Sequence, residues 1–231
     1  MVGLEESIIE WGADIVGFAD LSKIPSESRY SLDYGISIAK AITPEIVSGI
    51  SEGPNQDYFR EYQRLNSELD KIALLTTKRI KDMGYKAIAI TTTEVALSED
   101  LCTNLPHKTV ATRAGLGWIG KSALLITKDY GPAIRLTTVL TDLQLPTGTP
   151  INESKCGNCT LCKNVCEGKA IKGVNWNVGM KREEFYDAMA CKKEARRKCD
   201  LKNINSTICG QCINICPYTR RYMKLSGIES Y

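Results

Sequence analysis

The chain has 231 residues, 43% apolar and 25% charged, with a formal net charge of +3, a balance that excludes a disordered chain. No apolar run approaches the roughly 18 residues of a membrane span. The acidic start, Met1-Val2-Gly3-Leu4-Glu5-Glu6, lacks the basic and apolar regions of a signal peptide. A cytoplasmic chain with no membrane association is expected, and there ten cysteines point to metal or redox chemistry rather than to disulfides.

In chain order, Leu4, Ile8 and Trp11 follow helical spacing, and Asp14–Ala19 is short, apolar and β-like. Gly53-Pro54-Asn55 is a break, with Asn55 or Asp57 able to cap the next helix. That helix runs to about Asp82 with Tyr58, Tyr62, Leu65, Leu69 and Ile72 on one face, and Gly84 stops it. Lys86–Thr91, Ser122–Thr127 and Ile134–Leu140 are strand-like, while Lys108–Ala114 is polar and helix-like. The fold class expected is α+β. A Pro/Gly/Thr stretch, Leu145–Pro150, divides the chain into residues 1–150 and 151–231. Charge divides there too, formally −4 before the break and +7 after it.

Nine of the ten cysteines fall in the second part. Cys156-x2-Cys159-x2-Cys162-x3-Cys166 is the ligand run of bacterial [4Fe–4S] ferredoxins, in which three thiolates on a tight turn grip one cubane and the fourth serves another. Cys209-x2-Cys212-x3-Cys216-Pro217 supplies the matching half. Crossed ligation predicts one cluster on Cys156, Cys159, Cys162 and Cys216. The other takes Cys166, Cys209, Cys212 and either Cys191 or Cys199. Paired zinc hooks would not need the continuing x2–x3 pattern. Glu167 stands after Cys166 where proline is usual.

Gly115-Leu-Gly117-Trp118-Ile-Gly120 matches a dinucleotide-binding fingerprint in spacing only, because a polar helical segment precedes it and a β-prone one follows. Such glycines admit close approach of a large ligand or form a tight structural turn. Lys121 beside them could meet a phosphate or carboxylate.

Pro106–Lys121, then Leu140-Thr-Asp142 and Leu145-Pro146, then the two cysteine runs, together resemble the epoxyqueuosine reductase family and, more weakly, the reductive dehalogenases. Asp57-Tyr58 is similar to a segment of the family's N-terminal half. The resemblance implies a nitroreductase-like α/β domain over residues 1–150 that binds cobalamin or a related corrinoid. A ferredoxin-like module with two [4Fe–4S] clusters would follow over 151–231. It implies corrinoid contacts at Tyr58, Arg113, Gly115, Gly117, Trp118, Gly120, Lys121, Leu136, Thr137 and Thr138, and it favours Cys191 over Cys199 as the eighth cluster ligand. An oxygen-sensitive reductase is implied, fed by a low-potential donor such as ferredoxin or flavodoxin and acting on a small-molecule or protein-bound substrate. An electron-transfer or activating partner of a separate corrinoid enzyme is the alternative. The family's C-terminal helical-repeat domain, which helps hold tRNA, has no counterpart after Cys216, so tRNA is expected to be an unlikely partner.

The family's general acid, an Asp about fifteen residues before the loop, counts back to Leu101, with Asp100 adjacent. His107, the one histidine, is the other candidate proton donor, its ordinary pKa near ~6.5 suiting neutral pH, and a structural hydrogen bond is its plainer use. The basic run Lys192–Lys198 is expected to be a solvated or partner-docking face. Eight thiolates and two oxidised cubane cores would bring the +7 of the second part to about +3.

Overall fold

The structure, a computed structural model, describes residues 2–92 and 101–228. In chain order they form α1 (Val2–Glu10), β1 (Ile15–Asp20), β2 (Tyr34–Ala41), α2 (Pro44–Ser48), α3 (Gln56–Asp82), β3 (Ala87–Ile90), α4 (His107–Arg113), β4 (Trp118–Ile119), β5 (Leu125–Ile126), β6 (Ile134–Thr141), α5 (Leu161–Val165), α6 (Arg182–Phe185), α7 (Ala188–Leu201), α8 (Gln211–Asn214) and α9 (Pro217–Leu225). The architecture is α+β. Among the described residues no helix is long and apolar enough to cross a membrane.

Two units emerge, and neither is continuous in sequence. The first comprises residues 1–41, 65–117 and 135–151; the second comprises 42–64, 118–134 and 152–231. Ile151/Asn152 is the last boundary, next to the Pro/Gly/Thr stretch. Upstream, the segment with α2 and the start of α3, and the β4–β5 hairpin, cluster with the cysteine-rich residues.

The first unit is built on a four-stranded sheet in the order β1-β2-β6-β3. β1 and β2 are antiparallel, pairing Val16 with Ile38 and Phe18 with Ile36; β3 and β6 are antiparallel, pairing Ile88 with Leu140 and Ile90 with Thr138. Alternation along the strands gives the sheet two apolar faces. Val16, Phe18, Ile36, Ile38 and Val139 pack with Leu4 and Ile8 of α1 and with Leu69, Ile72, Ala73 and Ile80 of α3. Ala19 and Leu140 belong to a separate cluster with Leu21, Leu32, Val110 and Ala114. Each fully buried Ile or Leu here contributes about 1.5–3 kcal/mol by leaving water. Asn55 caps α3, its Oδ1 accepting from Tyr58 N at 2.8 Å, and Gly84 beyond its end has a φ of +88°.

In the second unit, β4 and β5 form an antiparallel pair, Trp118 opposite Ile126 and Ile119 opposite Leu125. Ile119 and Ala123 pack with Trp176 and Phe185. The strand expected over Ser122–Thr127 therefore shrinks to two residues, with 122–124 in the turn of this hairpin and Thr127 bridging to Gly131. Asp187 caps α7, accepting from Ala190 N at 2.9 Å.

Candidate functional site

Both cysteine runs open with Cys-Gly, and the glycines do the same work. Gly157 and Gly210 have φ of +52° and +90°, a left-handed turn that a β-carbon would strain. At Gly210 a Cβ would also fall 2.5 Å from the Ile50 side chain. Beyond the first turn, α5 carries Cys162; beyond the second, α8 carries Cys212 and Cys216 precedes Pro217 at the start of α9.

The structure brings eight cysteines together in two groups. Cys156, Cys159, Cys162 and Cys216 line a cavity of about 210 Å³. Cys166, Cys191, Cys209 and Cys212 line a narrower one of about 40 Å³, and Cys212 lies in the wall of both. The other two cysteines stand apart. Cys199 is fully buried and donates to Ile208 O at 3.2 Å, and Cys102 is exposed. Among the described residues no three of His, Cys, Asp and Glu converge closely enough to hold a single metal ion. The thiols surround a space rather than meet at a point. A tetrahedral zinc needs sulfurs at ~2.3 Å from one centre, whereas a cubane spreads its four ligands over four corners.

The thiols are held above their ordinary range by burial and by one another. Burial, and then the neighbouring Cys156 and other cysteines, push Cys162 up to about 11. Burial also takes Cys216 up to about 11 and Cys212 well above its ordinary value. Grouped thiolates are unstable in such a place unless a bound cation compensates them.

Charged side chains finish each cavity differently. Lys121, 4% exposed, lines the first and donates from Nζ to Gly157 O at 2.7 Å and Cys159 O at 2.9 Å. Glu167 and Glu194 line the second. There Lys198 Nζ donates to Glu167 Oε1 and to Gln211 Oε1, each at 2.5 Å. Lys198 is 6% exposed, so the basic run is not a uniformly solvated face. Tyr186 also lines the second cavity, and its hydroxyl bonds to Cys191. The roles of Lys198, Glu167 and Tyr186 lay outside the expected site. The one sequence signal was glutamate in place of proline after Cys166.

The residues expected to contact a corrinoid fall in both units. In the first, a Cβ on Gly115 (φ +75°) would lie 2.7 Å from Thr149 O, and Arg113 donates to Ile151 O at 2.9 Å. Gly117 is buried and Leu136 half-buried. Thr137 Oγ1 donates to Ile90 O at 3.0 Å, and Thr138 Oγ1 lies 2.9 Å from His107 Nδ1. In the second, Tyr58 is buried, and Trp118 meets Tyr218 edge-on with centroids 5.1 Å apart. A Cβ on Gly120 would lie 2.7 Å from Ile126 and 3.5 Å from Cys156 Sγ. The chain's own packing thus demands glycine at 115 and 120. Lys121, expected to meet a phosphate or carboxylate, holds two carbonyls of the first cysteine turn.

His107 is held at about 4, chiefly by burial and next by Arg135, with Asp70 opposing them. It is neutral at pH 7. Its Nε2 is buried with no hydrogen-bond partner among the described residues, which leaves a polar atom for a bound group to satisfy. Asp100, the weaker proton-donor candidate, lies outside the described residues.

No family model matches the chain. Epoxyqueuosine reductase of Atelocyanobacterium thalassa (isolate ALOHA) is 32% identical over 129 residues, covering 55% of this chain and 42% of that protein. The same enzyme of Listeria monocytogenes is 29% identical over 161 residues, covering 65% and 37%. The alignments thus span less than half the length of these curated relatives. Among solved structures, a catabolic reductive dehalogenase in complex with 3-bromo-4-hydroxybenzoic acid matches with a TM-score of 0.70 and 20% identity, over 96% of this chain and 33% of that one. An epoxyqueuosine reductase with a tRNA-Tyr epoxyqueuosine-modified stem loop matches at 0.62 and 20%, over 95% and 65%. These likenesses establish the shared fold. They also correct one expectation: tRNA cannot be set aside as an unlikely partner when the relatives are epoxyqueuosine reductases and one is solved with a tRNA stem loop. That expectation rested on the end of the given sequence alone, whereas the similarity resides in the aligned residues.

Proposed function

From its similarity to the epoxyqueuosine reductases, we propose that the chain is an iron–sulfur oxidoreductase that reduces its substrate with electrons passed through two [4Fe–4S] clusters to a corrinoid. The observation that carries this reading is the pair of cavities, one lined by five cysteines and the other by four, with Cys212 in both walls. Cys156, Cys159, Cys162 and Cys216 are the proposed ligands of one cluster, and Cys166, Cys191, Cys209 and Cys212 those of the other. When bound, the clusters supply single electrons at low potential and the corrinoid supplies a strongly reducing cobalt. Residues 151–231 are read as a ferredoxin-like module and 1–150 as a nitroreductase-like domain.

The chain's own groups do the positioning. The two Cys-Gly turns present the thiols, and Lys121 fixes the first turn through its carbonyls. Neutral His107, with Nδ1 against Thr138 Oγ1, serves as a hydrogen-bonding group and not as a cationic acid at neutral pH. The hydroxyls of Thr137 and Thr138, the Lys121 ammonium and the Arg113 guanidinium are engaged within the chain, where they hold its own strands and turns.

Anaerobic reconstitution tests the proposal. Iron and acid-labile sulfide should each reach about eight per chain, and added cobalamin should bind stoichiometrically by visible spectrum and cobalt assay. Zinc alone would refute the clusters. Intact clusters without cobalt would favour an electron-transfer partner of a separate enzyme. The epoxyqueuosine-modified stem loop of the solved relative is the first substrate to offer.

A further inference from the structure

We propose that Lys121 holds the cluster on Cys156, Cys159, Cys162 and Cys216 at a higher reduction potential than its neighbour. Lys121 lines that cavity and, among the described residues, pairs with no carboxylate, whereas Lys198 beside the other cavity is neutralised by Glu167. The inference rests on the two-cluster reading.

The two lysines are alike in burial and unlike in company. Lys121 Nζ meets only neutral acceptors, Gly157 O and Cys159 O, and among the described residues no carboxylate pairs with it. Lys155, exposed, lines the same cavity as a second cation. Around the second cavity, Glu167 and Glu194 are in the wall. Lys198 is spent on Glu167 and Gln211, and Arg197 is shared between Glu194 at 2.6 Å and Glu167 at 3.0 Å.

Reduction adds one negative charge to a cluster already made anionic by its thiolates, so a nearby uncompensated cation favours the reduced form. At an effective dielectric of ~20, one such charge a few ångströms away shifts a one-electron equilibrium by roughly tenfold or more; tenfold is ~59 mV. The Tyr186 hydroxyl on Cys191 acts in the opposite sense by raising the second cluster. One neutral hydrogen bond is the weaker influence. The first cluster therefore stays uppermost.

The test uses the full chain, reconstituted anaerobically with iron and sulfide and titrated reductively while the reduced clusters are followed by electron paramagnetic resonance. Two one-electron steps separated by roughly 59 mV or more are expected. Lys121→Gln keeps an amide donor for the carbonyls but removes the charge, and should lower the upper step about tenfold in its equilibrium. Lys121→Arg should leave it in place. Glu167→Gln releases the Lys198 charge and should raise the lower step. A full iron content with both steps unmoved in Lys121→Gln would overturn the inference, as would movement of the lower step only. Should Lys121→Gln lose iron, Glu167→Gln decides: a narrowed gap upholds the inference and an unchanged gap refutes it. A wild-type chain holding far fewer than eight irons defeats the two-cluster reading itself.

Discussion

The two cysteine cavities share a plan and differ in charge. Each has four proposed ligand thiols, a Cys-Gly turn with positive φ and a buried lysine in or next to its wall. In the first cavity the lysine is structural cement for two carbonyls and keeps its charge. In the second it is cancelled by Glu167, the residue that replaces proline after Cys166. A ligand run thus determines where thiols stand, while the neighbours at unrelated sequence distances determine how negative each site is. The sheet unit offers a further contrast, since its one buried imidazole is made neutral by desolvation instead of by a partner.

The harshest way to break the comparison is to remove a ligand from one cavity. Cys191→Ser should cut iron from about eight to about four per chain, because four ligands of the second cavity become three. Cys199→Ser should leave all eight, since that thiol faces Ile208 O and lines neither cavity. Iron assay on the two variants decides, and the reverse result would transfer the ligand role to Cys199.

The next largest effect concerns the sheet unit. The folded pKa of His107, about 4, lies below its unfolded value of about 6.5. Between those values the unfolded chain binds a proton that the folded chain refuses. Stability is therefore level above pH 6.5 and falls as pH drops through the window, by about 3 kcal/mol on reaching pH 4. Urea midpoints should show this slope, and His107→Gln should flatten it. An unchanged slope would mean that His107 protonates in place.

How much of this was readable in the sequence depends on the range of the interaction. The cysteine groups were readable because x2 and x3 spacings report local turn geometry, and α3 because its apolar period and Asn55 cap are local as well. β2 went unread. Its segment Tyr34–Ala41 is buried on both faces, and Ser37 and Lys40 interrupt any alternation. The discontinuous units were equally hidden, since residues 42–64 and 118–134 join the cysteine-rich segment only through tertiary contacts. The fates of Lys121 and Lys198 are long-range too: their partners lie at Gly157, Cys159, Glu167 and Gln211. A run of five basic residues between 192 and 198 reads as solvent-facing until one of them turns inward. The glycines at 115 and 120 carry the opposite lesson, because a motif that suggests room for a ligand is filled by Thr149 and Ile126.

A milder perturbation asks what Lys198 contributes to the fold. Lys198→Met removes the charged donor from Gln211 Oε1, leaving that acceptor only the weak Cys209 thiol at 3.6 Å, while the Gln211 Nε2 is committed to Ser51 O at 3.1 Å. Glu167, about half exposed, can turn to water. The cost should be about 1–3 kcal/mol, set by the acceptor that loses its charged donor, and a urea titration would measure it. A loss much larger than this would show that the ion pair, and not Gln211, carries the stabilisation. The second cavity would then depend on its neutrality for folding as well as for potential.

The smallest expected effect is the most selective. Tyr186 is buried, its hydroxyl raised far above the ordinary phenol range by burial first and by Cys191 next, so it stays protonated and donates to that sulfur. Tyr186→Phe keeps the ring and deletes one neutral hydrogen bond to a proposed ligand. Iron should remain at about eight, and the lower reduction step should fall by less than tenfold in its equilibrium, below ~59 mV. The gap between the clusters then widens, whereas Glu167→Gln narrows it. Opposite movements of one step, with the upper step still, would show that the second cavity is tuned by its own wall. If Tyr186→Phe moved both steps together, Cys212, which borders both cavities, would be carrying the change from one cluster to the other.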